Sequence, residues 1–188
     1  MSAAALSIAA AAQRLRQGGV LAYPTEAVWG LGCDPFCDAA LARLLEIKQR
    51  PAAKGMIVIA AQPAQVDRYL RWEALTPARR AEVLDSWPGP NTWLIPCADA
   101  VPAQLRGDHD TLAVRITAHP VAAALCEAFG GPIVSTSANL SGAPPARRVE
   151  DLSEALLAAI DGWVDGATGG LAQPSTIRDA RDGRVLRG

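Results

Sequence analysis

Short apolar runs alternate with helix-patterned segments along the chain, and this alternation constrains the fold more than any other feature. Residues 20–23 (VLAY), 56–60 (MIVIA), 92–96 (TWLIP), 111–117 (TLAVRIT) and 132–135 (PIVS) read as strands. Helical spacing with start and stop signals lies between them. A helix over 7–17 opens at Ser7 and stops at Gly18-Gly19, and one over 38–48 has Asp38 at the N-cap position and apolar residues at 41, 44 and 45. Pro51 stops the second. Thr76-Pro77 is a cap followed by proline at the first helical position, for a helix running to about Trp87. Residues 120–129 form a helix ending at Gly130-Gly131, another helix lies near 151–160, and Asp182-Gly183 signals a hairpin. Strands alternating with helices predict an α/β domain with a partly parallel sheet, in which sites gather at strand ends and loops.

Size and charge narrow the function classes. A chain of 188 residues is expected to form one domain, residues 1–188. At this size it buries roughly 70% of its unfolded surface, and 50% of its residues are apolar. The net charge of −1 gives no general basic footprint of a dedicated nucleic-acid binder, and is compatible with a local basic patch. No run of 18 apolar residues indicates a membrane span. The Ala-rich N-terminus lacks a basic n-region and reads as a helix rather than a signal peptide. A cytoplasmic protein with reduced Cys33, Cys37, Cys97 and Cys126 is therefore expected. The Cys33/Cys37 pair lacks zinc spacing and a second pair, so no metal site is expected. His119 precedes Pro120 at a helix start and reads as a surface or cap residue rather than a base.

Four segments place polar groups at the ends of elements or within strands. Tyr23-Pro24-Thr25-Glu26-Ala27-Val28-Trp29-Gly30-Leu31-Gly32 reads either as a Pro/Gly turn or as a loop whose glycines admit a ligand close to the backbone. It is not G-x-G-x-x-G, and no P-loop motif occurs. Lys48, Arg50 and Lys54 crowd the end of a helix. They fit either a helix dipole, at about 0.3–1 kcal/mol each, or a polyphosphate. Arg115 sits in an apolar strand, with Ala113, Arg115 and Thr117 on one face and Leu112, Val114 and Ile116 on the other. An exposed sheet face explains it; so does a substrate carboxylate held bidentately. Ser135-Thr136-Ser137-Ala138-Asn139 follows a buried run, and polar side chains buried without partners cost about 1–3 kcal/mol each. With no G-x-S-x-G elbow and no completing His and Asp, these hydroxyls read as binding groups rather than nucleophiles.

PTEAVWGLGCDP, LLEIKQRPAAKGM, WPGPNTWL, LAVRITAHP, VSTSANLSG and TGGLAQPSTIRD together resemble the YrdC-like threonylcarbamoyl-AMP synthases, from about residue 7 to the C-terminus. Lys48-Gln49-Arg50 and Ser137-Ala138-Asn139 match that family's K-x-R and S-x-N motifs. The form resembles the short, single-domain bacterial TsaC type. The resemblance implies an open, twisted mixed sheet with flanking helices and a concave electropositive face. It implies a nucleotidyltransferase that condenses L-threonine, bicarbonate (or CO2) and ATP, with Mg2+, into threonylcarbamoyl-AMP and pyrophosphate. Downstream proteins would pass the threonylcarbamoyl group to tRNA, and weak RNA binding is compatible with the family.

The resemblance also implies roles. Lys48 and Arg50 would be catalytic and hold phosphate, and Lys54, Ser137, Asn139 and Arg187 would bind the nucleotide. Arg115 would clamp the threonine carboxylate, with Thr25, Ser135 and Ser175 orienting the amino acid. Lys54-Gly55 stands where longer relatives often carry Asn-Pro, Ile59 where they carry His, and Arg187-Gly188 where the family ends Arg-Pro-Gly. Two other readings fit: a carbamoyl-transfer domain using carbamoyl phosphate, and an RNA-binding module with steep salt dependence and no ATP turnover.

Overall fold

The computed structural model describes residues 3–187. In chain order the strands are β1 Ala5–Leu6, β2 Leu21–Pro24, β3 Trp29–Gly32, β4 Ile57–Ala60, β5 Asn91–Pro96, β6 Thr111–Ile116, β7 Ile133–Ser137, β8 Gly162–Val164, β9 Thr176–Asp179 and β10 Val185–Arg187. The helices are α1 Ile8–Arg16, α2 Asp38–Lys48, α3 Pro77–Asp85, α4 Ala103–Arg106, α5 Pro120–Phe129 and α6 Glu154–Ala159. Among the described residues the ten strands form one open sheet, in the order β1-β8-β2-β3-β7-β4-β6-β5-β9-β10. The sheet is mixed as expected. The pairs β1/β8, β2/β8, β4/β6 and β5/β9 are parallel and the others antiparallel.

Local chemistry accounts for the helix ends. Ser7, Thr76 and Ser153 cap α1, α3 and α6 by accepting from backbone amides, and Gly130 ends α5 in the left-handed region. Helix α2 differs from expectation. Its N-cap is Cys37 and Asp38 is the first helical residue, where its charge still favours the helix N-terminus. The helix ends before Pro51, because Gln49 turns left-handed with φ 47°.

Two strand assignments also change. The glycine-rich segment after Pro24 is a hairpin rather than a loop alone, with β3 pairing antiparallel to β2 and β7. Gly32 permits that pairing, since a Cβ there would lie 1.9 Å from the Val134 carbonyl oxygen. The strand predicted to end at Ser135 continues to Ser137, so most of the hydroxyls belong to a strand and not to a turn after it. The Asp182-Gly183 turn does join the antiparallel β9 and β10.

Strand alternation divides the core. Ala22, Leu31, Val58, Val114 and Val134 pack with Leu41 and Leu44 of α2 on one face. Leu21, Tyr23, Ile59 and Ile133 pack with Ala11, Leu15 and Leu125 of α1 and α5 on the other. Helices α1 and α5 cover only part of that second face. The uncovered part, towards β6, β5 and β9, is where the cavity lies.

Candidate active site

A cavity of about 520 Å³ opens on the face left bare by α1 and α5. Its floor uses the strand positions that alternate away from the α2 core: Ile57 of β4, Ala113 and Arg115 of β6, and Ser135 and Ser137 of β7. Arg50, Lys54, Arg106, Arg115 and Arg187 line it, against the single carboxylate of Glu26. A chain of net charge −1 has thus collected five cations and one acid at one concavity. Low-dielectric walls strengthen such a field towards anions.

The K-x-R pair is split by its middle residue. The left-handed turn at Gln49 sends Lys48 and Arg50 in different directions. Lys48 is buried and does not line the cavity. Its ammonium donates to the Ser137 carbonyl at 2.7 Å, the Asn139 carbonyl at 2.5 Å and Asn139 Oδ1 at 2.9 Å. Burial, and secondarily Arg50, bring its pKa down to about 8. Asn139 is partly exposed and does not line the cavity, its amide donating to the Leu140 and Ala143 carbonyls. Lys48 and Asn139 are thus bonded to each other at the end of β7, and neither lines the cavity.

Arg50 does face the cavity. Its guanidinium is braced by the Gly55 carbonyl, with Nε at 3.2 Å and Nη2 at 2.9 Å. Gly55 has φ +59°, and a Cβ there would meet the Arg106 carbonyl oxygen at 2.8 Å. Proline, fixed near φ −65°, cannot adopt this conformation. The 50–55 loop thus follows a course that an Asn-Pro sequence could not. Ile59, the other departure, is fully buried beneath α1 and α5 and does not line the cavity.

Arg115 is not an exposed sheet residue. It is 6% exposed and forms an ion pair with Glu26, which is 8% exposed. The other Glu26 oxygen accepts from the Thr117 hydroxyl at 2.8 Å and the Ala118 amide at 3.0 Å. Burial alone would raise the Glu26 carboxyl, but Arg115 and these donors outweigh it and hold the group below the usual range. Glu26 was not singled out from sequence. Its only signal was an acid three residues beyond the strand read over 20–23.

The remaining predicted residues meet at the same cavity. Thr25 donates its hydroxyl to the Val28 carbonyl at 2.6 Å, leaving oxygen lone pairs available. Ser135 lies beside the buried Tyr23 phenol. The Ser175 and Thr92 hydroxyls share a 2.7 Å hydrogen bond, and Arg187 donates to the Ser175 carbonyl at 3.0 Å. Partial burial, then the nearby Arg115 and Arg50, lower the Arg187 pKa, and burial lowers that of Arg50. Arginine does not give up its proton in proteins, so these shifts record chiefly the withdrawal of each guanidinium from water. His119 occupies the N-cap position of α5, as expected, but is buried rather than superficial, with Nε2 2.9 Å from the Ala167 carbonyl oxygen. The thiols of Cys33 and Cys126 are buried and pushed up in pKa, that of Cys126 to about 12, which suits inert core residues.

An open mixed sheet with cations gathered over its uncovered face defines an α/β protein built to bind an anionic ligand. A family model covering Sua5, YciO and YrdC, described as "Telomere recombination", matches residues 13–188, and the chain belongs to this family. Among its relatives is a threonylcarbamoyl-AMP synthase of Xanthomonas axonopodis pv. citri, 60% identical over 97% of this chain and 97% of the relative. The crystal structure of P. abyssi Sua5 complexed with L-threonine superposes with a TM-score of 0.84 at 34% identity, over 92% of this chain and 50% of that one. This chain thus spans about half of that Sua5. E. coli YciO gives a TM-score of 0.83 at 26% identity, over 96% of this chain and 87% of its own.

Proposed function

We infer that this chain is a threonylcarbamoyl-AMP synthase that joins L-threonine, bicarbonate and ATP. The observation that carries the reading is the cavity's five cations and single, internally paired carboxylate, in a chain 60% identical to a protein of that name. The chemistry has to bring negative groups together. The threonine amine attacks the bicarbonate carbon and water leaves, giving a carbamate. A carbamate oxygen then attacks the α-phosphorus, and the bond to pyrophosphate breaks. Arg50, Lys54 and Arg187 hold phosphate, and Ser137 hydrogen-bonds the nucleotide. Arg115, held in place by Glu26, takes the threonine carboxylate. Thr25, Ser135 and Ser175 orient the amino acid. Lys48 and Asn139 act from behind, setting the position of Ser137. Fixed donors of this kind are already oriented when charge shifts in the transition state. Holding three reactants in line can supply roughly 7–11 kcal/mol.

Mg2+ fits this site as a companion of ATP rather than as a resident ion. Among the described residues no group of three or more His, Cys, Asp or Glu gathers to hold a metal. The cavity's carboxylate is already satisfied by Arg115, Thr117 and Ala118. Phosphate oxygens and water can supply the octahedral oxygen set magnesium prefers. The product would serve proteins that modify tRNA, in the cytoplasm. Among the described residues no helix is long and apolar enough to cross a membrane.

Ligand-induced stabilisation tests the reading. L-threonine and Mg-ATP should each raise the unfolding temperature, and at about one hundred times Kd the gain is near 2.7 kcal/mol. D-threonine should have a much smaller effect. If neither substrate stabilises the protein at millimolar concentration, the assignment fails.

A further inference from the structure

Residues 165–175, between β8 and β9, contain neither helix nor strand, yet they supply Leu171, Gln173, Pro174 and Ser175 to the cavity wall. Something other than a backbone ladder must hold them. On the inner side, Gly169 and Leu171 donate to the carbonyls of Thr25 and Glu26, each at 3.0 Å. Gly169 lies so close that a Cβ would meet the Glu26 backbone at 3.1 Å. The strap therefore rests on the turn that presents Glu26 to Arg115.

The other fastening comes from across the cavity. Arg147 lies in the segment that follows β7 and also brings Pro145 to the wall. Its guanidinium donates to the Leu171 carbonyl at 3.3 Å and the Ala172 carbonyl at 2.7 Å. Thr168 returns a bond from its hydroxyl to the Arg147 carbonyl at 3.2 Å. Asp151 fixes the base of this clasp, accepting from the Arg147 and Arg148 amides at 3.1 and 3.0 Å. Arg147 is exposed, so core packing does not explain its placement. A forked cation suits two successive carbonyls, and a lysine could reach only one well.

We propose that Arg147 is a positioning residue that latches strap 165–175 across the cavity, and that this latch governs retention of the substrates. Arg147 touches none of the proposed reacting groups. It joins the wall bearing Pro145 to the wall bearing Leu171 and Ser175, and the strap bears on the Glu26 turn. Releasing it loosens the ligand walls while Arg50 and Arg115 stay in place.

The role in catalysis rests on the synthase reading, whereas the latch itself does not. The experiment is amide hydrogen exchange in the full chain without ligand, read on peptides covering 165–175, with steady-state kinetics alongside. Arg147→Ala should speed exchange there about tenfold, the size expected for loss of a charge-assisted bond. Arg147→Lys should fall between it and wild type, and Arg14→Ala, at an exposed arginine of α1 that makes no bond to the strap, should match wild type. KM for threonine and for ATP should rise together in Arg147→Ala, with kcat changing less than either. Unchanged exchange in Arg147→Ala overturns the latch. Faster exchange with unchanged KM values overturns its role in retention. A wild-type protein that makes no threonylcarbamoyl-AMP counts against the synthase reading alone, because the exchange result still decides the latch.

Discussion

Arg115→Ala is expected to cost about 3–5 kcal/mol of folding stability, because it strands a buried carboxylate. Arg115 and Glu26 are both nearly inaccessible, and each is the other's charge partner. Burial makes the pair expensive to break and gives little reason to think it stabilises more than an apolar pair would. Arg115→Met with Glu26→Gln should therefore recover much of the stability in urea unfolding. It should recover no activity. Threonine KM should rise roughly 10- to 100-fold in both variants, the range expected for a lost bond to a charged group. ATP KM should change far less. Recovery of threonine use in the double variant would show that Arg115 is not the carboxylate clamp. The sign of the pH dependence also follows. Glu26 has a lowered pKa in the folded chain, so its contribution is complete above the ordinary carboxylate range and is lost as pH falls through the folded value.

The second large effect separates the two halves of the K-x-R motif. Arg50→Ala should lower kcat about 10²–10³-fold, as loss of a preorganised donor does elsewhere. Its stability should change little, since Arg50 is only half-buried and bonds only the Gly55 carbonyl and, at 3.5 Å, the Lys54 carbonyl of its own loop. Lys48→Met should act in the opposite order. It leaves three oxygens of the β7 end without their donor, at about 1–3 kcal/mol for each one that water cannot reach. Activity should then fall because Ser137 is displaced. Parallel urea curves and turnover for the two variants check this, and equal stability losses would put both residues in the same role.

The sequence made the cavity's polar residues legible and left their arrangement hidden. Serine and threonine caps, and Gly130 in the left-handed region, are local chemistry, so helix starts and the end of α5 could be read directly. The β3 strand could not. Its glycines look like a turn, and only close pairing with β7, where no Cβ fits at Gly32, makes them a strand. Arg115 was found because a charge stood out in an apolar strand. Glu26 was not, because its meaning depends on a residue 89 positions away in the chain. Lys48 and Arg50 looked alike at two-residue spacing. The left-handed backbone at Gln49 separates them, and no residue type there announces it, since glycine and asparagine are the usual markers.

Pyrophosphate release by the purified protein with Mg-ATP, omitting L-threonine and bicarbonate in turn, tests the central claim most directly. Release is expected only when both are present, with L-serine a poor substitute. Release that proceeds without threonine, or no release with all substrates present, would contradict it.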